Sequence, residues 1–315
     1  MTPTSLSEQY LIGDNMISRK RTIFLSLIVM ALWGSLYPCI KLSYSAFSID
    51  PGSTPDILLF AALRFLVCGG IVSCICMCRR KHLAKPSGKD AGFFLLIGLF
   101  SIVLHYGCMY VGLSMTGSGK TALIKQAGSL LYICLAFLFI REEKFSYCRI
   151  FGGLIGFWGV GAINLSSGKF QFGTGELLVL VASVCTVIAN IISRLSVQKS
   201  SPYWLTGISQ FFGGLVLLSV ALILGGKLPQ ISLQGILLLG YICTASVISY
   251  MLWYRILQNS LLSNMLIIKF AEPVFACLFS AVLLGEYIFK LQYLLAFILI
   301  SSGIMLGNKT NKRGN

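Results

Sequence analysis

The sequence predicts an all-α polytopic membrane protein, with ten transmembrane helices arranged as two inverted five-helix repeats. Three observations carry that prediction. The chain of 315 residues is 56% hydrophobic, has a mean hydropathy of +0.84 and carries only 11% charged residues, a balance foreign to soluble domains. Apolar runs long enough to cross a bilayer recur ten times along it. Two of those runs, GKTALIKQAGSLLYICLAFLFIRE at 119–142 and SNMLIIKFAEPVFACLFSAVLLGE at 263–286, align without a gap at an offset of 144 residues.

That offset places Lys125 on Lys269, Ala127 on Ala271 and Glu142 on Glu286. It also places Phe145 on Phe289, Gly159 on Gly303, Tyr106 on Tyr250 and Tyr110 on Tyr254. The chain therefore reads as two copies of one membrane unit. The match is weaker in the first helices of each half, where an offset of 153 sets Lys41 on Arg194.

Residues 1–22 form a polar tail ending in Arg19-Lys20-Arg21. The run that follows is long for a signal-peptide core and lacks a cleavage site, so it is an uncleaved first helix. Apolar runs at about 23–43, 57–78, 91–112, 119–140 and 148–165 make the first repeat, 23–165. Runs at about 174–195, 203–224, 233–255, 263–284 and 291–308 make the second, 174–308, followed by a short tail, 309–315. The connections are short except at 44–56, where Asp50-Pro51-Gly52 and Pro55 predict a structured outer loop.

Loop charge sets the orientation. One side receives Arg19–Arg21, Arg79–Lys81, Lys85, Lys89, Arg141, Lys144, Arg149, Arg194, Lys199, Arg255, Lys309, Lys312 and Arg313; the other receives Lys169, Lys227 and Lys290. The bias predicts both termini in the cytoplasm. Five helices per copy is an odd number, so the second copy enters the membrane from the opposite side, an arrangement many secondary transporters use.

The same distribution excludes other classes. A formal net charge of +15 would suggest nucleic acid in a soluble protein, but here it lies in short clusters between apolar runs. The eleven cysteines sit almost wholly inside apolar runs, with no disulfide framework or metal spacing; Cys74, Cys76 and Cys78 do not share one helix face. Gly117-Ser118-Gly119-Lys120-Thr121 imitates a phosphate-binding loop, but Ser114 stands where glycine is required and no strand precedes it. No cofactor is expected, and transport would run on gradients or exchange.

Charges inside spanning runs are functional candidates by default. Lys125 and Lys269 each lie about six residues from a helix end, about 9 Å deep at 1.5 Å per residue. The repeat places them on opposite sides of the midplane, to bind an anionic group or close alternate gates; otherwise their long stems snorkel to the interface. Glu272 stands one turn past Lys269. It is a carboxylate for a coupling proton or a substrate ammonium, or else an ion-pair partner for Lys269. Pro273 predicts a kink and a candidate hinge. Arg64 is a third deep cation, fixed to a helix-end carbonyl or to Glu272. Lys41 and Arg194 read as interfacial anchors.

A cavity lining is expected from Trp33, Tyr37, Tyr106, Tyr250, Trp253, Asn190 and Gln210, a mixture suited to a largely apolar pocket with a few polar anchors. Tyr110 and Tyr254 lie near helix ends and read as an interfacial belt. His105 reads as a packing or hydrogen-bonding residue. The glycines of the fifth helix (Gly152, Gly153, Gly156, Gly159, Gly161) and Gly213-Gly214 predict close packing within the repeat or against another subunit. The oligomeric state stays open between monomer and homodimer.

Several motifs carry a resemblance. They are Trp33-Gly34-Ser35 with Lys41, Leu63-Arg64-Phe65, Gly112-Leu113-Ser114 leading into Lys120-Thr121-Ala122, and Gly175-Glu176-Leu177-Leu178. Clearest are Glu272-Pro273-Val274-Phe275-Ala276 and Leu284-Gly285-Glu286. With these, nearly the whole chain after residue 22 resembles the EamA-like families of the drug/metabolite transporter superfamily. The resemblance implies a ten-helix inverted-repeat carrier for small metabolites, often an exporter, in a bacterial inner membrane. Gly128-Ser129 departs from it, since many relatives carry a proline there, and Lys125 and Lys269 are not general family features.

Deep basic residues outnumber the one deep acid, which favours a carboxylate-bearing solute over a cationic drug. The expected function is a secondary active exporter of an amino acid or related solute. Efflux of drugs or nucleotide-related solutes is the alternative, and a non-transporting sensor or scaffold the second. An enzyme would need a convergent His, Ser or metal constellation, and none is visible.

Overall fold

The structure is a computed structural model, and it describes residues 19–78, 86–116, 118–139, 145–164, 173–197, 201–259, 262–285 and 291–308. The two tails as far as residue 18 and from 309, and most of the loop charges used to predict orientation, lie outside the described residues. So do Glu142, Glu286 and Phe289 of the repeat match.

Ten helices follow in chain order, and the described residues contain no strand. They are α1 (Arg19–Ala46), α2 (Thr54–Cys78), α3 (Gly88–Ile97, Gly98–Leu104 and His105–Met115 in continuous succession), α4 (Ser118–Phe139) and α5 (Tyr147–Asn164). Then come α6 (Thr174–Val197), α7 (Pro202–Ile223), α8 (Leu233–Asn259), α9 (Leu262–Ile268, Lys269–Ala271 and Glu272–Leu284) and α10 (Leu291–Asn308). Among the described residues, seven helices are long and apolar enough to cross a membrane, those of α1, α2, α3, α6, α7, α8 and α9.

Local chemistry sets several boundaries. Ser87 and Asp90 form a reciprocal capping box at the start of α3. Glu176 accepts from Gly173 N at 2.7 Å at the start of α6, where a carboxylate also suits the helix dipole. Gly285, at φ +69°, ends α9 in the left-handed conformation that glycine adopts without strain. The loop after α1 is structured: Asp50 Oδ1 accepts from Gly52 N at 2.8 Å. This loop is tied to the α7–α8 connection, because Gln230 N donates to Phe47 O at 3.1 Å and Lys227 N donates to Asp56 Oδ1 at 2.7 Å.

Packing runs between the halves of the chain. α2 lies along α7, and α5 along α10; α1 packs on α8 and α9, while α6 packs on α3 and α4. The glycines make the first two contacts possible. A Cβ on Gly152 would come within 2.7 Å of Gly303 O, and one on Gly214 within 2.7 Å of Leu66 N. Packing within the repeat holds for Gly153, which faces Leu130 and Ile133 of α4, whereas Gly152 and Gly214 join helices of opposite halves, where the backbones approach closely.

Candidate functional site

The site forms where α9 breaks. Pro273 has no N–H to donate and its ring crowds the carbonyl four residues back, that of Lys269. The helix tightens at Lys269–Ala271, where Glu272 N donates instead to Lys269 O. Pro273 then opens the continuing segment as one of its first residues. The kink expected at Pro273 thus takes the form of a tight turn just before it.

α1 presses against this break. A Cβ on Gly34 would meet Phe275 Cβ at 2.7 Å and Ala276 N at 2.9 Å, so only glycine admits α9 at this distance. The close approach sets Trp33 and Tyr37 beside Lys269 and Glu272.

Glu272 is 1% exposed and pairs with Lys125, not with its neighbour on the helix: Lys125 Nζ lies 2.8 Å from Glu272 Oε1. Tyr37 closes a triangle, donating to Glu272 Oε1 at 2.9 Å and accepting from Lys125 Nζ at 2.8 Å. Glu272 Oε2 has no hydrogen-bond partner among the described residues. The alternative of a Lys269–Glu272 ion pair is therefore corrected. α4 offers Lys125 directly across from the carboxylate within salt-bridge distance, while Lys269, one turn earlier on α9, stays outside that distance.

Lys269 is 5% exposed, and its Nζ stands 5.5 Å from the centroid of the Trp33 ring, a cation–π contact. No carboxylate lies within salt-bridge distance of it among the described residues. Burial also overturns the snorkelling alternative for both lysines, since the Lys125 side chain is only 9% exposed. Both lysines line one chamber.

Arg64 is fully buried on α2. Its Nη1 donates to Tyr110 OH at 2.5 Å and its Nη2 to Ser246 Oγ at 2.7 Å. Its guanidinium stacks 4.7 Å from the Phe65 ring and 5.3 Å from Tyr106. The expected partners, a helix-end carbonyl or Glu272, are replaced by a phenol and a hydroxyl from α3 and α8. Tyr110 is accordingly a core residue and not part of an interfacial belt. Arg194 also departs from its expected role as an anchor: it is buried and donates from Nη1 to the Leu257 carbonyl.

Two chambers meet at Trp33, Tyr106 and Lys125. The wider is lined also by Lys269, Asn190, Tyr250, Trp253, Tyr254, His105, Ser101, Thr186 and Ser193. The narrower is lined also by Tyr37, Arg64, Glu272, Leu36, Ile40 and Met109. Between them Tyr250 OH donates to Tyr106 OH at 3.0 Å, joining two residues 144 positions apart. Trp33 packs at 5.7 Å on Tyr250 and 5.1 Å on Trp253, which completes an aromatic wall. His105 Nδ1 lies 2.9 Å from Ala182 O and 2.7 Å from Thr186 Oγ1, which ties the ring to α6.

Of the residues expected to line the cavity, Gln210 alone lines neither chamber. It is buried on α7, whose neighbours Ser209 and Gly213 pack against the Gly98–Leu104 segment of α3, and neither side-chain amide atom has a partner among the described residues. Sequence reasoning missed Ser101, Thr186 and Ser193, and placed Tyr254 in a belt. Thr186, Asn190 and Ser193 are spaced four and three apart on α6, a polar stripe that helical periodicity could have found. Ser101 is aimed by the wide π-turns of Gly98–Leu104, which no residue pattern announces.

The comparisons agree with this architecture. The model of the EamA-like transporter family matches residues 20–165 and 173–308. An uncharacterized transporter of Synechocystis sp. is 26% identical over 290 residues, covering 86% of this chain and 85% of its own. The uncharacterized inner membrane transporter YedA of Escherichia coli K12 is 26% identical over 282 residues, with 87% of each chain covered. A chloroplastic WAT1-related protein of Arabidopsis thaliana is 26% identical over 245 residues, 74% of this chain and 58% of its own. A solved crystal structure shares the fold at a TM-score of 0.73 and 17% identity, covering 92% of this chain and 96% of its own.

Proposed function

The chain belongs to the EamA-like transporter family, and on that premise we propose that it is a secondary carrier exporting a carboxylate-bearing solute, an amino acid or a related metabolite, by alternating access. One observation carries the solute class. The Lys269 ammonium is buried in a chamber wall, cushioned by the Trp33 face, with no carboxylate within salt-bridge distance among the described residues. A charge so placed is costly unless an anion meets it. The solute carboxylate docks on Lys269, its body lies against Trp33, Tyr250 and Trp253, and Asn190 and His105 offer further hydrogen bonds.

The halves act as inverted repeats rocking about this site. The offset of 144 residues supports that reading, as does the exchange of partners in the packing: α1 on α8 and α9, α6 on α3 and α4. The Lys125–Glu272 pair joins α4 to α9 and serves as a latch between the halves, with Pro273 and the tight turn before it as the hinge. Glu272 carries the coupling proton, so Glu272→Gln flattens the pH dependence of transport. The carrier sits in the inner membrane with both termini in the cytoplasm, in line with the charge bias of the loops and with YedA being an inner membrane transporter.

Counterflow in proteoliposomes tests this. Vesicles loaded with a mixed amino-acid and carboxylate pool take up labelled solute in the wild type and fail to in Lys269→Met. The aromatic wall favours a second reading, efflux of planar drugs or nucleotide-related solutes. Exchange of those in place of carboxylates would replace the first reading. No exchange at all, in vesicles holding folded protein, would leave a sensor or scaffold.

A further inference from the structure

The two chambers hold more positive charge than the proposed carboxylate solute requires. Arg64 from α2, Lys125 from α4 and Lys269 from α9 line them, and Glu272 is the one carboxylate that does so among the described residues. Lys125 and Glu272 neutralise each other at 2.8 Å. That leaves two cations, Arg64 and Lys269, one on each side of the shared walls Trp33 and Tyr106. Neither is satisfied by an acid. Lys269 has an aromatic face, and Arg64 has two neutral oxygens, with Nε lacking any partner among the described residues. Neutral hydroxyls and rings soften a buried charge but do not cancel it, and an uncompensated ion in a low-dielectric interior is strongly penalised.

We propose that the solute is a dianion with its two negative groups apart, one drawn to Lys269 and the other to Arg64, and that the carrier works by exchanging one such anion for another. The charge count gives both parts. A monoanion leaves one excess cation in the closed site and a zwitterion leaves two. The empty site holds both, so its closure around no anion is disfavoured and the unloaded carrier returns slowly. This inference rests on the carrier reading above, and it narrows the solute from any carboxylate to a doubly charged one.

The test is counterflow in proteoliposomes of the full chain with four labelled probes: succinate, lactate, alanine and glycerol 3-phosphate. Each is followed with the same solute inside and with empty vesicles. Succinate exchanging at least tenfold faster than lactate or alanine, and at least tenfold slower into empty vesicles, is the expected result. Glycerol 3-phosphate, whose double charge sits on one group, should exchange no faster than lactate; equal rates with succinate would overturn the requirement for two separated groups. Arg64→Gln removes one excess charge and should bring the succinate-to-lactate ratio near one, a change of selectivity that a merely structural arginine would not produce. Because Arg64→Gln also disturbs Tyr110 and Ser246, Lys269→Gln provides the same reading from the opposite side. Lactate or alanine exchanging as fast as succinate would overturn the dianion and leave the carrier standing. No probe exchanging, with folded protein in the vesicles, would overturn the carrier reading itself.

Discussion

Lys125 and Lys269 occupy matching places in the two halves, 144 residues apart, and have opposite surroundings. Lys125 lies on a continuous stretch of α4 and is consumed by a carboxylate and a phenol at 2.8 Å each. Lys269 begins a break in its helix and has an aromatic face 5.5 Å away with no acid. The source of the difference is two positions long. Where the second half has Glu272-Pro273, the first has Gly128-Ser129. Gly128 makes room for Ser183 of α6, whose Oγ accepts from Gly128 N at 2.7 Å, so α4 stays closed. The second half supplies the acid and the proline, and the first supplies the lysine that pairs with that acid. On the proposed reading the two halves thereby divide the labour, one lysine latching and the other meeting a solute.

The largest expected effect strikes the latched lysine. Lys125→Met leaves Glu272 buried and unpaired, and should lower stability by about 3–5 kcal/mol, read as a fall in the melting temperature of the purified protein. Lys269→Met removes no ion pair and should leave that temperature close to wild type. Its effect appears in solute binding, weakened about 10–100-fold, or roughly 1.5–3 kcal/mol of charge-assisted contact. If both lysines behaved alike in either assay, the division of labour would fail. Lys125→Met combined with Glu272→Gln removes both charges together and should recover stability to within about 1 kcal/mol of wild type in a double-mutant cycle. The smallest effect serves as a control far from both lysines. Gln210→Leu replaces an amide without partners and should raise stability by about 1 kcal/mol while leaving transport unchanged.

Much of this was legible in the sequence because the repeat is. The apolar runs located all ten helices, and the offset of 144 brought out Lys125, Lys269, Tyr106 and Tyr250. The pairing among them was not legible. Spacing along a helix favours Lys269 as the partner of Glu272, whereas the ion pair is made across the bundle, where α4 brings Lys125 to 2.8 Å from the carboxylate. Tyr110 and Tyr254 misled for a related reason. Position near the end of an apolar run suggests an interface, but depth in a bundle depends on neighbouring helices, and here Arg64 and the wider chamber claim them. Gln210 failed as a cavity residue because a polar side chain in a spanning helix shows only that it avoids lipid, not which internal face it takes.

One measurement tests the division of labour most directly: tryptophan-fluorescence titration of the purified protein with an exchanged carboxylate solute, comparing Lys269→Met with the neutral pair Lys125→Met/Glu272→Gln. Trp33 and Trp253 both line the chamber and report its occupation. The account predicts that the neutral pair binds within about tenfold of wild type and that Lys269→Met loses about 10–100-fold. Binding kept by Lys269→Met and lost in the neutral pair would place the solute at the latch and contradict it.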